Sequence, residues 1–109
     1  MKKALILTVM ALFSLNVGAF AGDADSAKSN WDRHCKKCHG ENGAADTTLG
    51  KKLEIMDYTD PASLAELSDE ELFTMTKDGV DGTKMRGYGK RLSDEEIEDL
   101  VDYMRAMAE

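Results

Sequence analysis

The sequence predicts a single all-α domain. Two Ser-x-x-Glu runs, Ser68 to Glu71 and Ser93 to Glu96, each precede apolar residues that recur at helical spacing. The chain holds one proline, Pro61, so little interrupts a helical backbone. Val, Ile, Thr and the aromatic residues nowhere alternate for long enough to mark a strand. A chain of 109 residues has room for one small core and no second one.

The first element is not part of that domain. Lys2 and Lys3 precede an apolar run from Ala4 to Val17, and Ala19-Phe20-Ala21 is a small-x-small cleavage pattern. The run is shorter than the roughly 20 apolar residues that span a bilayer. Residues 1–21 are therefore expected to be a cleaved export signal, leaving 22–109 as the mature domain with no permanent membrane anchor. Gly22 to Ser29 reads as a small, polar tail. A first helix is expected within Ser26 to Cys38, with Trp31 on its inner face. Gly40 to Asp60 holds Gly40, Gly43 and Gly50 and has little periodicity, so it reads as a loop. Such a length is unusual in a compact domain, and a loop wrapped around a bound group accounts for it.

Asp60 and Pro61 suit an N-cap and first helical residue. That helix must be short, because Ser68 and Glu71 form a capping box that restarts the pattern. Leu72, Phe73 and Met75 follow, and Gly79 suits the stop. Val80 to Leu92 contains Gly82, Gly87 and Gly89 and reads as a loop. Ser93 and Glu96 open the last helix, whose apolar stripe of Ile97, Leu100, Val101 and Met104 extends to about Met107. The acids between Asp94 and Asp102 are placed on its far, solvated face.

Net charge is −7, which excludes a chain that as a whole seeks nucleic acid or an anionic membrane. The chemistry lies in Cys35-Lys36-Lys37-Cys38-His39, a C-x-x-C-H run of the kind that attaches haem. Thiols one helical turn apart each add to one vinyl group, and the next residue sets an imidazole beneath the iron. The export signal agrees, since this attachment is made outside the cytoplasm in bacteria; the periplasm is the expected location. A thioredoxin-like pair would need a βαβ context, and none is present. A zinc site needs a second ligand pair, and the only other histidine is His34, beside Cys35. A plain disulfide across two residues would constrain almost nothing. No serine or cysteine nucleophile has a free histidine to activate it, which argues against a hydrolase.

Candidates for the second axial ligand are Met56, Met75, Met85, Met104, Met107 and His34. Met75, Met104 and Met107 fall at apolar helical positions and read as core. Met56 fits either role, and His34 is poorly placed to reach the opposite haem face. Met85 stands in a glycine-rich loop between Lys84 and Arg86, where an apolar side chain has no other evident use. It is the expected distal ligand, and thioether ligation raises the reduction potential.

With these residues in hand, the chain resembles the small class I monohaem cytochromes c of bacteria. The likeness runs from about Trp31 to Met107. It rests on Cys35-Lys36-Lys37-Cys38-His39-Gly40, Asp69-Glu70-Glu71-Leu72, Gly79 ahead of Lys84-Met85, Leu92-Ser93-Asp94-Glu95-Glu96-Ile97 and Leu100-Val101-Asp102-Tyr103-Met104-Arg105. The resemblance implies a cytochrome c fold of three to five helices around one covalent haem c, with His39 and Met85 on the iron. It also implies outer-sphere electron transfer, not enzymatic turnover, and an aromatic pair of Trp31 and Tyr103. Two positions depart from the family. Arg86 follows Met85 where the family has proline, and the loop after the motif lacks the proline associated with orienting the proximal histidine.

The function expected is that of a soluble, monomeric shuttle between periplasmic or membrane redox partners. A haem enzyme or small-gas sensor with a labile sixth site is one alternative. A cytochrome subunit of a larger oxidoreductase is another. Lys36 and Lys37, with Arg33, and Lys84, Arg86, Lys90 and Arg91 are expected to form a basic rim at the haem edge for docking acidic partners.

Overall fold

The computed structural model describes residues 23–109; the expected export signal, residues 1–21, lies outside the described residues. Among the described residues every regular element is helical, and the only β pairing is an isolated bridge between Gly79 and Arg86.

The first helical rod is built in three pieces. α1 (Ala24–Asn30) passes into a π-helical turn (Trp31–Cys35) and then α2 (Lys36–His39). It starts two residues ahead of the expected range, because the Asp23 carboxylate accepts from the Ser26 N–H and caps α1. The expected polar tail is thus mostly helix. Within the π turn the Lys36 N–H donates to the Trp31 carbonyl, five residues back.

The loop from Gly40 to Asp60 corrects the sequence reading. It contains α3 (Thr48–Lys52), capped by Thr47, whose hydroxyl accepts from the Gly50 N–H. Gly50 masked this helix, since glycine normally weakens one. Here no larger residue fits: a Cβ would lie 2.3 Å from the Ala45 carbonyl oxygen and 2.7 Å from that of Cys38.

The remaining elements start where their caps predict. α4 (Pro61–Leu64) follows Asp60, α5 (Asp69–Asp78) follows Ser68, and α6 (Asp94–Ala106) follows Ser93. Both capping boxes are complete, and Gly79 closes α5 at φ 80°.

One apolar cluster joins the helices: Trp31, Leu64, Leu72, Leu92, Ile97, Leu100, Val101 and Met104. Trp31, Ile97 and Leu100 are essentially sealed from solvent. Each such burial contributes about 1.5–3 kcal/mol. α1 and α5 both pack on α6, which makes α6 the spine. Two polar ties fix that arrangement. The Asn30 amide donates to Glu96 at 3.1 Å. Arg105 donates to Asp69 and to the carbonyls of Leu64 and Leu67, satisfying the end of α4. The acids of α6 are not all solvated as expected: Asp99 is buried and Asp102 half-buried. No described helix is long and apolar enough to cross a membrane.

Candidate functional site

The C-x-x-C-H run closes the first rod. The Gly40 N–H donates to the Lys36 carbonyl, and Gly40 then turns the chain away at φ 84°. Carbonyls freed at this helix end are taken up by the following loop. Ala45 N–H donates to His39 O at 2.8 Å, and the Thr47 hydroxyl donates to Cys38 O at 2.7 Å. The Trp31 indole N–H donates to Gly40 O at 2.9 Å, locking the motif to the core. The expected pairing of Trp31 with Tyr103 is present, with ring centroids 5.7 Å apart.

Cys35, Cys38 and His39 open onto a cavity of about 850 Å³. Leu49, Leu53 and Ile55 line it from the first loop, Leu72 and Met75 from α5, and Leu100 from α6. Met85 and Tyr88 line it from the second loop. The four residues expected to hold the haem are therefore brought to one cavity. Met56, Met75 and Met104 and His34 also reach its wall, so lining alone does not single out Met85. Met104 belongs to the core as expected, whereas Met75 is half-buried at the cavity and Met56 is largely exposed.

The donor chemistry fits a haem attached through two thioethers. Cys35 and Cys38 are free and half-buried. Burial, with a smaller contribution from Cys38, pushes the Cys35 thiol up to about 12. It stays protonated, unlike the low-pKa thiols of redox-active pairs. Burial lowers the pKa of His39, so its imidazole is neutral, as an iron ligand requires. No cluster among the described residues could hold a bare metal ion.

The sequence points to no partner for His39, and among the described residues its buried Nδ1 atom makes no hydrogen bond. The ring is instead flanked by aromatic surfaces. Trp31 lies 5.7 Å away, tilted at 44°, and Tyr58 stacks at 5.2 Å and 20°. Tyr58 and Thr47 are site residues that the sequence did not reveal. Tyr58 is the one aromatic residue between Gly40 and Asp60, the only signal that could have found it.

A family model described as cytochrome c oxidase, cbb3-type, subunit III, matches residues 22–104. The chain belongs to this family of c-type cytochromes. This cytochrome is 34% identical to cytochrome c6 of Gloeothece citriformis over 115 aligned residues, covering 100% of this chain and 97% of that one. Among solved structures it resembles the KustC0563 c-type cytochrome, with a TM-score of 0.69 and 29% identity over 76% of this chain and 98% of that one. Cytochrome c6 of the diatom Phaeodactylum tricornutum shares the fold, with a TM-score of 0.59 over 80% of this chain and 95% of that one. The cytochrome bears haem c and carries electrons between redox proteins; it is not an enzyme.

Proposed function

We propose that this cytochrome is a soluble, monomeric shuttle of the periplasm, exported by residues 1–21 and active as residues 22–109. Cys35 and Cys38 attach one haem, and His39 and Met85 are the axial ligands. When bound, the haem supplies an iron that cycles between ferric and ferrous states. The observation that carries the reading is the convergence of Cys35, Cys38, His39 and Met85 on one largely apolar cavity. The protein's part is to hold both ligands while keeping water and competing ligands out. Leu72, Leu100 and Ile55 supply the low-polarity wall, and thioether ligation raises the potential.

The docking face is the basic rim. Arg33, Lys37, Lys84 and Arg86 border the cavity, and Lys36, Lys90 and Arg91 are exposed. Among the described residues none of these seven cations makes a salt bridge, whereas Lys28, Lys51, Lys77 and Arg105 each do. Unneutralised charge around the cavity mouth attracts an acidic redox partner.

The test uses the holoprotein matured from the full chain. Visible spectra of the ferric and ferrous forms are recorded for the unmodified protein and for Met85→Ala. A low-spin covalent haem whose Met-to-iron charge-transfer band disappears in Met85→Ala supports the assignment. A high-spin haem that binds carbon monoxide readily in the unmodified protein overturns it. The family description also raises the reading of a subunit held in an oxidase. Gel filtration of the purified holoprotein separates the two: a shuttle elutes as a monomer without companions.

A further inference from the structure

Met85 lies in the loop between Gly79 and Leu92, and both of its backbone polar groups are tied down. Its N–H donates to the Thr83 hydroxyl at 3.1 Å, and its carbonyl accepts from the Val80 N–H at 3.0 Å. The Thr83 hydroxyl in turn donates to the Val80 carbonyl at 2.7 Å. The far side of the loop is bonded to the last turn of α5. Tyr88 N–H donates to Thr76 O at 2.9 Å, and Gly89 N–H donates to Lys77 O at 3.0 Å.

That crossing leaves no room for a side chain. A Cβ on Gly87 would lie 2.5 Å from the Lys77 carbonyl oxygen and 2.6 Å from the Asp78 carbonyl carbon. These are backbone atoms, so the loop itself would have to move. Gly87 has no positive φ, so close approach alone demands glycine there. Gly82 is the opposite case, with φ 76° and open space around it.

We propose that Gly87 and Thr83 are positioning residues for Met85, doing through an interlock with α5 what a fixed-φ proline after the ligand would otherwise do. Arg86 occupies that place and supplies no fixed φ of its own, so the restraint must come from the bridge to Gly79 and the contacts of the loop with α5. The interlock keeps the loop in its closed state, in which the thioether competes with outside ligands at high local concentration. This inference rests on Met85 being the axial ligand.

The experiment measures the affinity of the ferric holoprotein for imidazole, the strength of the Met-to-iron band and the melting temperature. The variants are Gly87→Ala, Thr83→Val, Thr83→Ser and Met85→Ala. An outside ligand gains access in proportion to the population of the open loop. Gly87→Ala is expected to tighten imidazole binding about tenfold or more and to weaken the band. Thr83→Val does so by about threefold, and Thr83→Ser restores the original behaviour. Lower melting temperatures for Gly87→Ala and Thr83→Val, with imidazole affinity and band unchanged, would overturn the proposal. If Gly87→Ala yields no holoprotein, the contrast between Thr83→Val and Thr83→Ser decides. A band that survives in Met85→Ala overturns the ligand assignment itself, an outcome distinct from the failure of the interlock.

Discussion

Trp31 links the core to the site through one donor. Its indole ring is buried against Tyr103 and His39, and its N–H is the partner of the Gly40 carbonyl. Trp31→Phe keeps an aromatic ring but leaves that carbonyl only the long 3.4 Å bond from the Gly43 N–H, which is expected to cost about 1 kcal/mol. Chemical denaturation of the holoprotein measures it. A loss below about 0.5 kcal/mol would mean that the Gly43 N–H satisfies the Gly40 carbonyl by itself. Asp102 offers a test of sign. Its pKa is raised by burial first and then by Asp69 and Asp99. Above both its unfolded and folded values this carboxylate is less stable in the folded state, and the penalty fades as pH falls through the folded value toward the unfolded value of 3.8. Asp102→Asn is thus expected to raise the melting temperature at neutral pH and to lose that advantage below about pH 4. The gain is small, a few tenths of a kcal/mol, because solvent screens the group. At this scale the gathering of Cys35, Cys38 and His39 at one cavity was legible, since their spacing puts them within about one helical turn. Tyr58 and Thr47 were not, because each acts through a contact that only the folded loop creates.

Helix starts were legible at three of the side-chain caps, where a proline or an acidic capping box marks the cap in the sequence. These caps are Asp60, Ser68 and Ser93, and each makes its bond within three residues. Ser93→Ala removes the cap from the helix on which α1 and α5 pack, and a loss of about 1 kcal/mol is expected by thermal unfolding. No loss would show that Glu96, through its bonds to Ser93 N–H and Asn30, secures the end by itself. α3 was illegible for the opposite reason. Its glycine argues against a helix locally and is required by the close passage of Ala45 and Cys38. The π turn was hidden as well, because no residue type demands it.

On the scale of the whole molecule, a large void stands beside the core. Leu72, Leu100 and Met104 belong both to the apolar cluster and to the wall of the 850 Å³ cavity. A small domain with such a void depends on what fills it. Cys35→Ala combined with Cys38→Ala is expected to leave little folded protein, seen as loss of cooperative melting. Sharp unfolding of that variant without haem would contradict the dependence. The charge layout makes a second prediction. Raising ionic strength from about 0.01 M to 0.15 M shortens the screening length from about 30 Å to 8 Å. Electron transfer to an acidic partner should then slow several-fold, and a rate indifferent to salt would remove the rim from the mechanism.

The π turn between α1 and α2 separates two tasks that a regular helix would couple. Each residue of an α-helix turns the chain by about 100°. A turn closed five residues back uses one residue more than a regular one. The motif is therefore set back by about that angle relative to the face that α1 lays on α6. The rod works as a phase shifter: one end is keyed to the helix partner and the other to the cavity. A single deletion within 32–34 would restore an unbroken helix yet aim the thiols elsewhere, so the length of the stretch between Trp31 and Cys35 is constrained more tightly than its composition.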